Sequence, residues 1–374
     1  MPKAKTDCDS SEHRSGGLIM EYVRNAWYVA GWSSEIGDEP KRVTMLETHL
    51  VVYRASSGEV VALEDRCPHR LLPLSMGKRI GDNLQCGYHG MTFGPDGKCV
   101  RIPGQDNLPA SAYVDAFPVC EKNDIVWVWM GDRDKADPET VFDMPEFTDP
   151  NWDAHQGDAL HLNSHYLNVA ENLVDPAHVS FVHPTTLGNA ASENVPVHVS
   201  TEGEAIVAWR WIRDAPPIGF FQKFGGFSGN VDRWHYYYLH LPSTAVIDFG
   251  SSPAEDALPE EERNKGVRIF ALHFLTPVSG NYTIDRWMHI RNTAVGDAAA
   301  SEQMDGMFRT AFAEDKAILE AIQEEEERPQ SRRPIRIAID KGPLVYRKRI
   351  AELIERERTE HVEAVPSPAY VYHD

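Results

Sequence analysis

Two short Cys/His arms constrain this chain more than any other feature. They read Cys67-Pro68-His69, then sixteen intervening residues, then Cys86-Gly87-Tyr88-His89. Each arm brings a thiol and an imidazole close together, so that one tight loop presents both to a metal. Structural zinc accepts two Cys and two His, but its usual spacing pairs like ligands, C-x₂₋₄-C in one arm and H-x₃₋₅-H in the other. Here C-x-H is followed by C-x-x-H. A Rieske centre requires that division, because two His replace two Cys on one of its two irons. The ligand order therefore favours a two-iron, two-sulfur Rieske cluster over zinc. Pro68, Pro73, Gly87 and Gly90 supply the tight backbone that such loops need. Cys8, Cys99 and Cys120 have no His at ligand spacing and read as small hydrophobes.

The rest of the composition narrows the class. The 374 residues make one large domain or two ordinary ones. Lys plus Arg number 37 against 57 Asp plus Glu, a formal charge of −20. So acidic a chain lacks the basic surface that nucleic acid or an anionic membrane demands. No apolar run approaches the ~18 residues that span a bilayer. Residues 1–20 read as a polar tail, with no apolar run of the kind a signal-peptide core has. Five cysteines do not make a disulfide scaffold, so a reducing cytoplasm is the expected compartment.

Residues 21–150 are expected to form a small antiparallel β domain with a connector. Ser57-Gly58 and Asp96-Gly97 sit between β-prone runs as hairpin turns, and VCEKNDIVWVWMG alternates like a strand with one buried face. The Pro- and Asp-rich stretch Asp132–Trp152 links or wraps two units. Residues 151–374 form the larger domain. It is expected to hold a helix over Asn163–Phe181 and long strands over Val197–Arg213, Trp234–Phe249 and Val267–Ile290. Helices follow over Ser301–Glu327 and Arg347–Thr359. Strands without βα alternation indicate an α+β fold with an antiparallel sheet flanked by helices.

A second constellation lies in this larger domain. His178 and His183 are five residues apart, about 140° on an ideal helix, so a regular helix would not put them on one face. Pro184 biases His183 out of the helical region, which can swing its ring back toward His178. On spacing alone, a pair of ordinary His residues is the default reading. The two His with a carboxylate would form the triad of non-haem Fe(II) oxygenases. Asp175, three residues before His178, is one candidate carboxylate. Another emerges from the helix Ser301–Glu327, where Met304, Phe308, Ala311, Phe312, Leu319 and Ile322 form an apolar stripe. Asp315 projects into that stripe, where a charge is costly unless paired or metal-bound. Glu314 points about 100° away, toward the edge of the stripe. Asp315 is therefore the better ligand candidate, with a buried salt bridge to Arg or Lys as the alternative.

Taken together, these segments resemble the Rieske-type non-haem iron aromatic oxygenases, closest to the vanillate O-demethylase oxygenase branch that includes dicamba O-demethylase. The resemblance runs from VRNAWYVAGW through DRCPHRLLPLSMG, CGYHG and IPGQ. It continues through ENLVDPAHVSFVH, VDRW, LPS, FLTP, FAEDKAILEAIQ and RIAIDKGPLVYRKRI. The resemblance implies that Cys67, His69, Cys86 and His89 hold the cluster and that His178, His183 and Asp315 hold the catalytic Fe(II). It implies that Asp175 is a bridge rather than a ligand. In a head-to-tail homotrimer, Asp175 would link His178 to His89 of a neighbouring subunit. Asn172 is implied to help order the iron pocket.

The same resemblance implies the chemistry. Electrons originating in NADH or NADPH arrive through a flavin and iron–sulfur reductase or a ferredoxin, and the iron activates O₂. Hydroxylation of an O-methyl carbon on a methoxylated aromatic acid gives a hemiacetal that collapses to a phenol and formaldehyde. N-demethylation or ring hydroxylation of another aromatic is the alternative. A Rieske electron carrier without catalysis would need only the N-terminal region. Glu171 stands where these relatives usually have Asp, and Trp209, Trp211, Phe220, Phe221, His235, Tyr237 and His289 are candidates for the substrate pocket.

Overall fold

The computed structural model describes residues 22–364. The tail expected over residues 1–20, with Cys8, lies outside them. The N-terminal region is antiparallel throughout and begins earlier than its hairpin signals suggest. Trp27–Trp32 pairs with Ile125–Trp129, which pairs with Val119–Lys122. VCEKNDIVWVWMG is therefore two strands rather than one. Asn123 and Asp124 turn the chain between them at φ 56° and 59°, as a two-residue hairpin requires. Both faces of Trp27–Trp32 and of the central strand Ile125–Trp129 are buried, not one. Tyr28, Ala30, Val126 and Val128 enter the main core, while Trp27, Val29, Trp127 and Trp129 enter a second core against the large sheet.

The turns at Ser57-Gly58 and Asp96-Gly97 join paired strands, with Gly58 at φ 91° and Gly97 at φ 82°. The stretch Asp132–Trp152 contributes three 3₁₀ turns, and Phe142, Met144, Phe147 and Trp152 pack on the Trp-rich core.

The larger region is built on a seven-stranded antiparallel sheet. Its order is Asp153–Leu162, Tyr282–Arg291, Val267–Ser279, Thr244–Pro253, Val231–His240, Ala205–Ala215 and His198–Glu202. Each of the three long strands expected over Val197–Arg213, Trp234–Phe249 and Val267–Ile290 is a hairpin, turning at Gly203-Glu204, at Leu241–Ser243 and at Gly280-Asn281. Asp153–Leu162 is an edge strand that the hydrophobic pattern does not reveal, because it is mostly half-exposed and its sequence, DAHQGDALHL, is polar.

Helices cover one face of this sheet. The helix expected over Asn163–Phe181 is two, Tyr166–Leu173 and Val179–Val182. Pro176 disfavours a helical Asp175, and the chain turns there. The long helix Ala298–Glu326 is capped by Asp297, which accepts N–H bonds from Ala299 and Ala300. It buries Met304, Phe308, Ala311, Phe312 and Leu319 as its periodicity demands. Ile322 breaks the pattern at 43% exposure. Gln323 is buried instead, because its side chain accepts the His165 N–H at 2.8 Å. The C-terminal helix starts at Lys341, earlier than Arg347, and buries Tyr346 and Ile350.

Candidate cluster and metal sites

The two Cys/His arms fold into two loops of the same type. Cys67 N–H donates to Leu72 O, and Leu71 N–H donates to Cys67 O, both at 2.9 Å. In the second arm Cys86 N–H donates to Met91 O at 2.8 Å, and Gly90 N–H donates to Cys86 O at 3.1 Å. The residue four places after each Cys is left-handed, Leu71 at φ 61° and Gly90 at φ 73°. Cys67 and Cys86 are buried, whereas His69 and His89 are exposed with ring centroids 4.6 Å apart. Burial pushes the Cys67 thiol up, and the His69 and Arg70 amides facing its sulfur pull the other way. Two buried thiols outside any disulfide, beside two exposed imidazoles, fit the Cys₂His₂ donor set that would hold a Rieske cluster.

The second constellation closes around a carboxylate. His178 and His183 bracket the short helix Val179–Val182. His183 leaves helical geometry at φ −116°, ψ 47°, in keeping with Pro184 after it, and its ring lies 5.3 Å from that of His178. Nε2 of His178 is 3.6 Å from Asp315 Oδ1, and Nε2 of His183 is 3.2 Å from Asp315 Oδ2. One ligand atom from each residue falls within 4.8 Å of the others. Among the described residues Asp315 is paired with these imidazoles and Asn172, whose Nδ2 donates to Oδ1 at 3.1 Å, rather than with Arg or Lys.

Burial pushes the Asp315 carboxyl up, but His183, His178 and Asn172 bring it below its ordinary range. Burial pushes His178 down, so its ring is held neutral and free to ligate. Two imidazoles and one carboxylate are the donor set that would hold a non-haem Fe(II).

Glu314 departs from expectation. Instead of pointing clear of the site, its Oε2 meets His183 Nδ1 at 2.7 Å. The helix angle places it off the apolar stripe, and His183 comes to it from another element. Asp175 does not ligate in this geometry: its Oδ2 is 4.0 Å from His178 Nδ1, a buried atom with no hydrogen-bond partner among the described residues.

A cavity adjoins the triad, walled by Ile247, Phe249, Phe308 and Phe312, with His235, Tyr237 and His273 also lining it. Sheet alternation sorts the other pocket candidates. Trp209 and Trp211 lie on the opposite face with Trp234 and Tyr236, and Phe220 and Phe221 are core residues. His289 sits apart, 3.2 Å from Asp305, which His155 also meets at 3.0 Å. Glu171 pairs with Arg347 of the C-terminal helix. His273, whose Nδ1 meets Asp285 at 2.7 Å, went unsignalled because its buried strand reads as ordinary core.

Comparison with known proteins agrees with this architecture. Residues 26–118 match the Rieske [2Fe-2S] domain, and residues 162–356 match the vanillate O-demethylase oxygenase C-terminal domain. The chain is 34% identical over 326 residues to the toluene-4-sulfonate monooxygenase system iron–sulfur subunit of Comamonas testosteroni, covering 86% of this chain and 94% of that one. It is 32% identical over 347 residues to the dicamba O-demethylase oxygenase component of Stenotrophomonas maltophilia, covering 90% and 99%. The crystal structure of dicamba monooxygenase bound to 3,6-dichlorosalicylic acid superposes with a TM-score of 0.81 at 30% identity, covering 90% of this chain and 99% of that one.

A Rieske domain joined to such a sheet and triad defines the oxygenase component of a Rieske monooxygenase, an oxidoreductase with a 2Fe–2S cluster and a mononuclear non-haem iron. Within that class, the chain belongs to the family marked by the vanillate O-demethylase oxygenase C-terminal domain. Such components act with O₂, an aromatic substrate and a reductase partner. No helix among the described residues is long and apolar enough to cross a membrane.

Proposed function

We propose that this oxygenase demethylates a methoxylated aromatic acid, with His178, His183 and Asp315 holding the iron and Cys67, His69, Cys86 and His89 holding the cluster. The observation that carries this is the convergence of the three ligand side chains on a cavity with aromatic and aliphatic walls. The bound iron would supply the O₂ activation that no side chain provides, using electrons relayed by the cluster. The chain's own part is positioning. Ile247, Phe249, Phe308 and Phe312 orient an aromatic ring and exclude water, while Glu314 and Asn172 hold His183 and Asp315 in place.

Asp175 acts as the bridge between subunits of a head-to-tail homotrimer, accepting contact from the neighbour's His89 and passing electrons toward His178. Its placement near the unpartnered Nδ1 of His178, with its side chain 21% exposed, supports this role. Exposed apolar side chains flank both ends of the route, Leu71, Met76 and Tyr88 beside the cluster loops and Phe181 beside the iron site. Electrons come from NADH or NADPH through a flavin and iron–sulfur reductase or a ferredoxin, in the cytoplasm. The division into cluster and catalytic domains falls near residue 150.

The test is turnover of methoxybenzoates by the loaded oxygenase with a reductase. One formaldehyde per O₂ consumed is expected. Monooxygenation of an aromatic acid without a methoxy group is favoured by the 34% identity to the toluene-4-sulfonate monooxygenase subunit. Oxygenated product without formaldehyde from the methoxy substrates would select that second reaction.

A further inference from the structure

The cavity has one polar wall that the iron ligands do not account for. His235 and Tyr237 stand two residues apart on the strand Val231–His240, so both side chains face the cavity. Arg210 Nε donates to His235 Nδ1 at 3.2 Å. A guanidinium has no acceptor, so Nδ1 must be the unprotonated nitrogen and the ring proton must sit on Nε2. Burial, reinforced by Arg210 and Arg233, holds this imidazole well below its ordinary value, so the ring stays neutral. His235 therefore offers the cavity an N–H and no acceptor. Burial likewise raises the Tyr237 phenol, which keeps its proton.

Behind this wall lie two guanidiniums that the protein scarcely neutralises. Arg210 is 1% exposed and Arg233 is 0% exposed. Asp175 offsets Arg210 in part, but the charge acting on Arg233 is Arg210 itself, another cation. Arg233 Nη2 donates to Asn189 at 2.8 Å, while its Nε and Nη1 have no hydrogen-bond partner among the described residues. Burying cations without counter-charge is costly, and an anionic ligand nearby would lower that cost. The cavity's other lateral His has the opposite backing, since His273 Nδ1 meets the Asp285 carboxylate. An acid group is thus drawn toward His235.

We propose that His235, with Tyr237 beside it, binds the acid group of the substrate, an arenecarboxylate or arenesulfonate, and that Arg210 positions His235 by fixing which nitrogen carries its proton. This rests on the aromatic-acid substrate proposed above. With the acid held there, the ring lies against Ile247, Phe249 and Phe308.

Isothermal titration of the metal-loaded protein tests it, using 3-methoxybenzoate and toluene-4-sulfonate, each against its neutral amide. The unaltered protein should bind each acid more tightly than the amide. His235→Leu should weaken acid binding about tenfold or more, the size of one hydrogen bond to a charged group, and leave amide binding within about threefold. His235→Gln restores a side-chain N–H and should recover most of the loss. Arg210→Gln should erase the preference for acid over amide. Cluster absorption and iron content establish that each variant is folded and loaded.

Equal affinity for acid and amide in the unaltered protein overturns the subsite. So does a His235→Leu variant that keeps the preference, or its loss only on changing His273. Tight, His235-dependent acid binding without formaldehyde in turnover would instead overturn the demethylation and leave the subsite standing.

Discussion

His183 is held between two consecutive carboxylates: its Nδ1 lies 2.7 Å from Glu314 Oε2 while its Nε2 lies 3.2 Å from Asp315 Oδ2. In the proposed site the inner carboxylate would share the metal with His183, and the outer one would fix the ring's orientation and make Nε2 more basic. Residues that orient a ligating His commonly contribute 10–100-fold in metal affinity. Glu314→Gln should therefore release iron to a chelator about 10–100-fold more readily, with cluster absorption unchanged. Iron affinity equal to that of the parent would remove this role.

Asp315→Ala should lose the mononuclear iron and keep the reddish-brown cluster. Metal analysis should fall from about three irons per chain to about two, because the cluster alone holds two. The two sites share no side chain, so one can empty without the other. A colourless zinc-containing protein would instead refute the cluster.

Asp175→Asn should retain both metal centres and stop electrons passing between them. The amide is nearly isosteric with the carboxylate but cannot carry its charge, and Asp175 Oδ1 accepts the Ala177 N–H at 2.8 Å, a bond the amide oxygen can keep. The cluster should still bleach with dithionite, while single-turnover product formation drops by orders of magnitude. Normal turnover in this variant would eliminate the bridge.

His165 makes stability depend on pH. Its Nδ1 accepts the Leu167 N–H at 3.2 Å at the start of the helix Tyr166–Leu173, and burial, with Arg347 nearby, pushes its pKa down to about 4. In the unfolded chain the value is about 6.5. Between these values the unfolded state binds a proton that the folded state refuses. The contribution is thus intact above about pH 6.5 and is lost progressively as pH falls toward 4, on the order of 3 kcal/mol in all. His165→Asn supplies another good cap without a titrating group. It should shrink the fall in Tm between about pH 7.5 and about pH 5, and an undiminished fall would place the pH dependence elsewhere.

Much of the site was legible because its parts are local. Each cluster arm is one short loop, so the ligand types and their order appear directly in the chain, and both arms close with the same pair of backbone hydrogen bonds. Asp315 was legible for a different reason: a carboxylate inside an apolar helical stripe carries a physical cost that demands a partner. Turn chemistry likewise located the hairpins at Gly58 and Gly97. Where polarity and exposure weakened the pattern, as along Asp153–Leu162, the strand stayed hidden. The turn around Asp175-Pro176 was absorbed into a longer helix because the apolar spacing on either side runs on in phase.

By itself, then, the sequence determined the paired Cys/His arms proposed to hold the cluster, the two imidazoles and the carboxylate proposed to hold the iron, and an antiparallel α+β framework. Only the tertiary structure decided what surrounds them. It brought Glu314 to His183 across 131 positions of chain, aimed His235 and Tyr237 into the cavity while turning Trp209 and Trp211 away, and set Arg210 behind His235. Spacing reports which residues share a loop or a helical face. Contacts between distant elements depend on how sheet and helices pack, and that packing is a property of the whole chain.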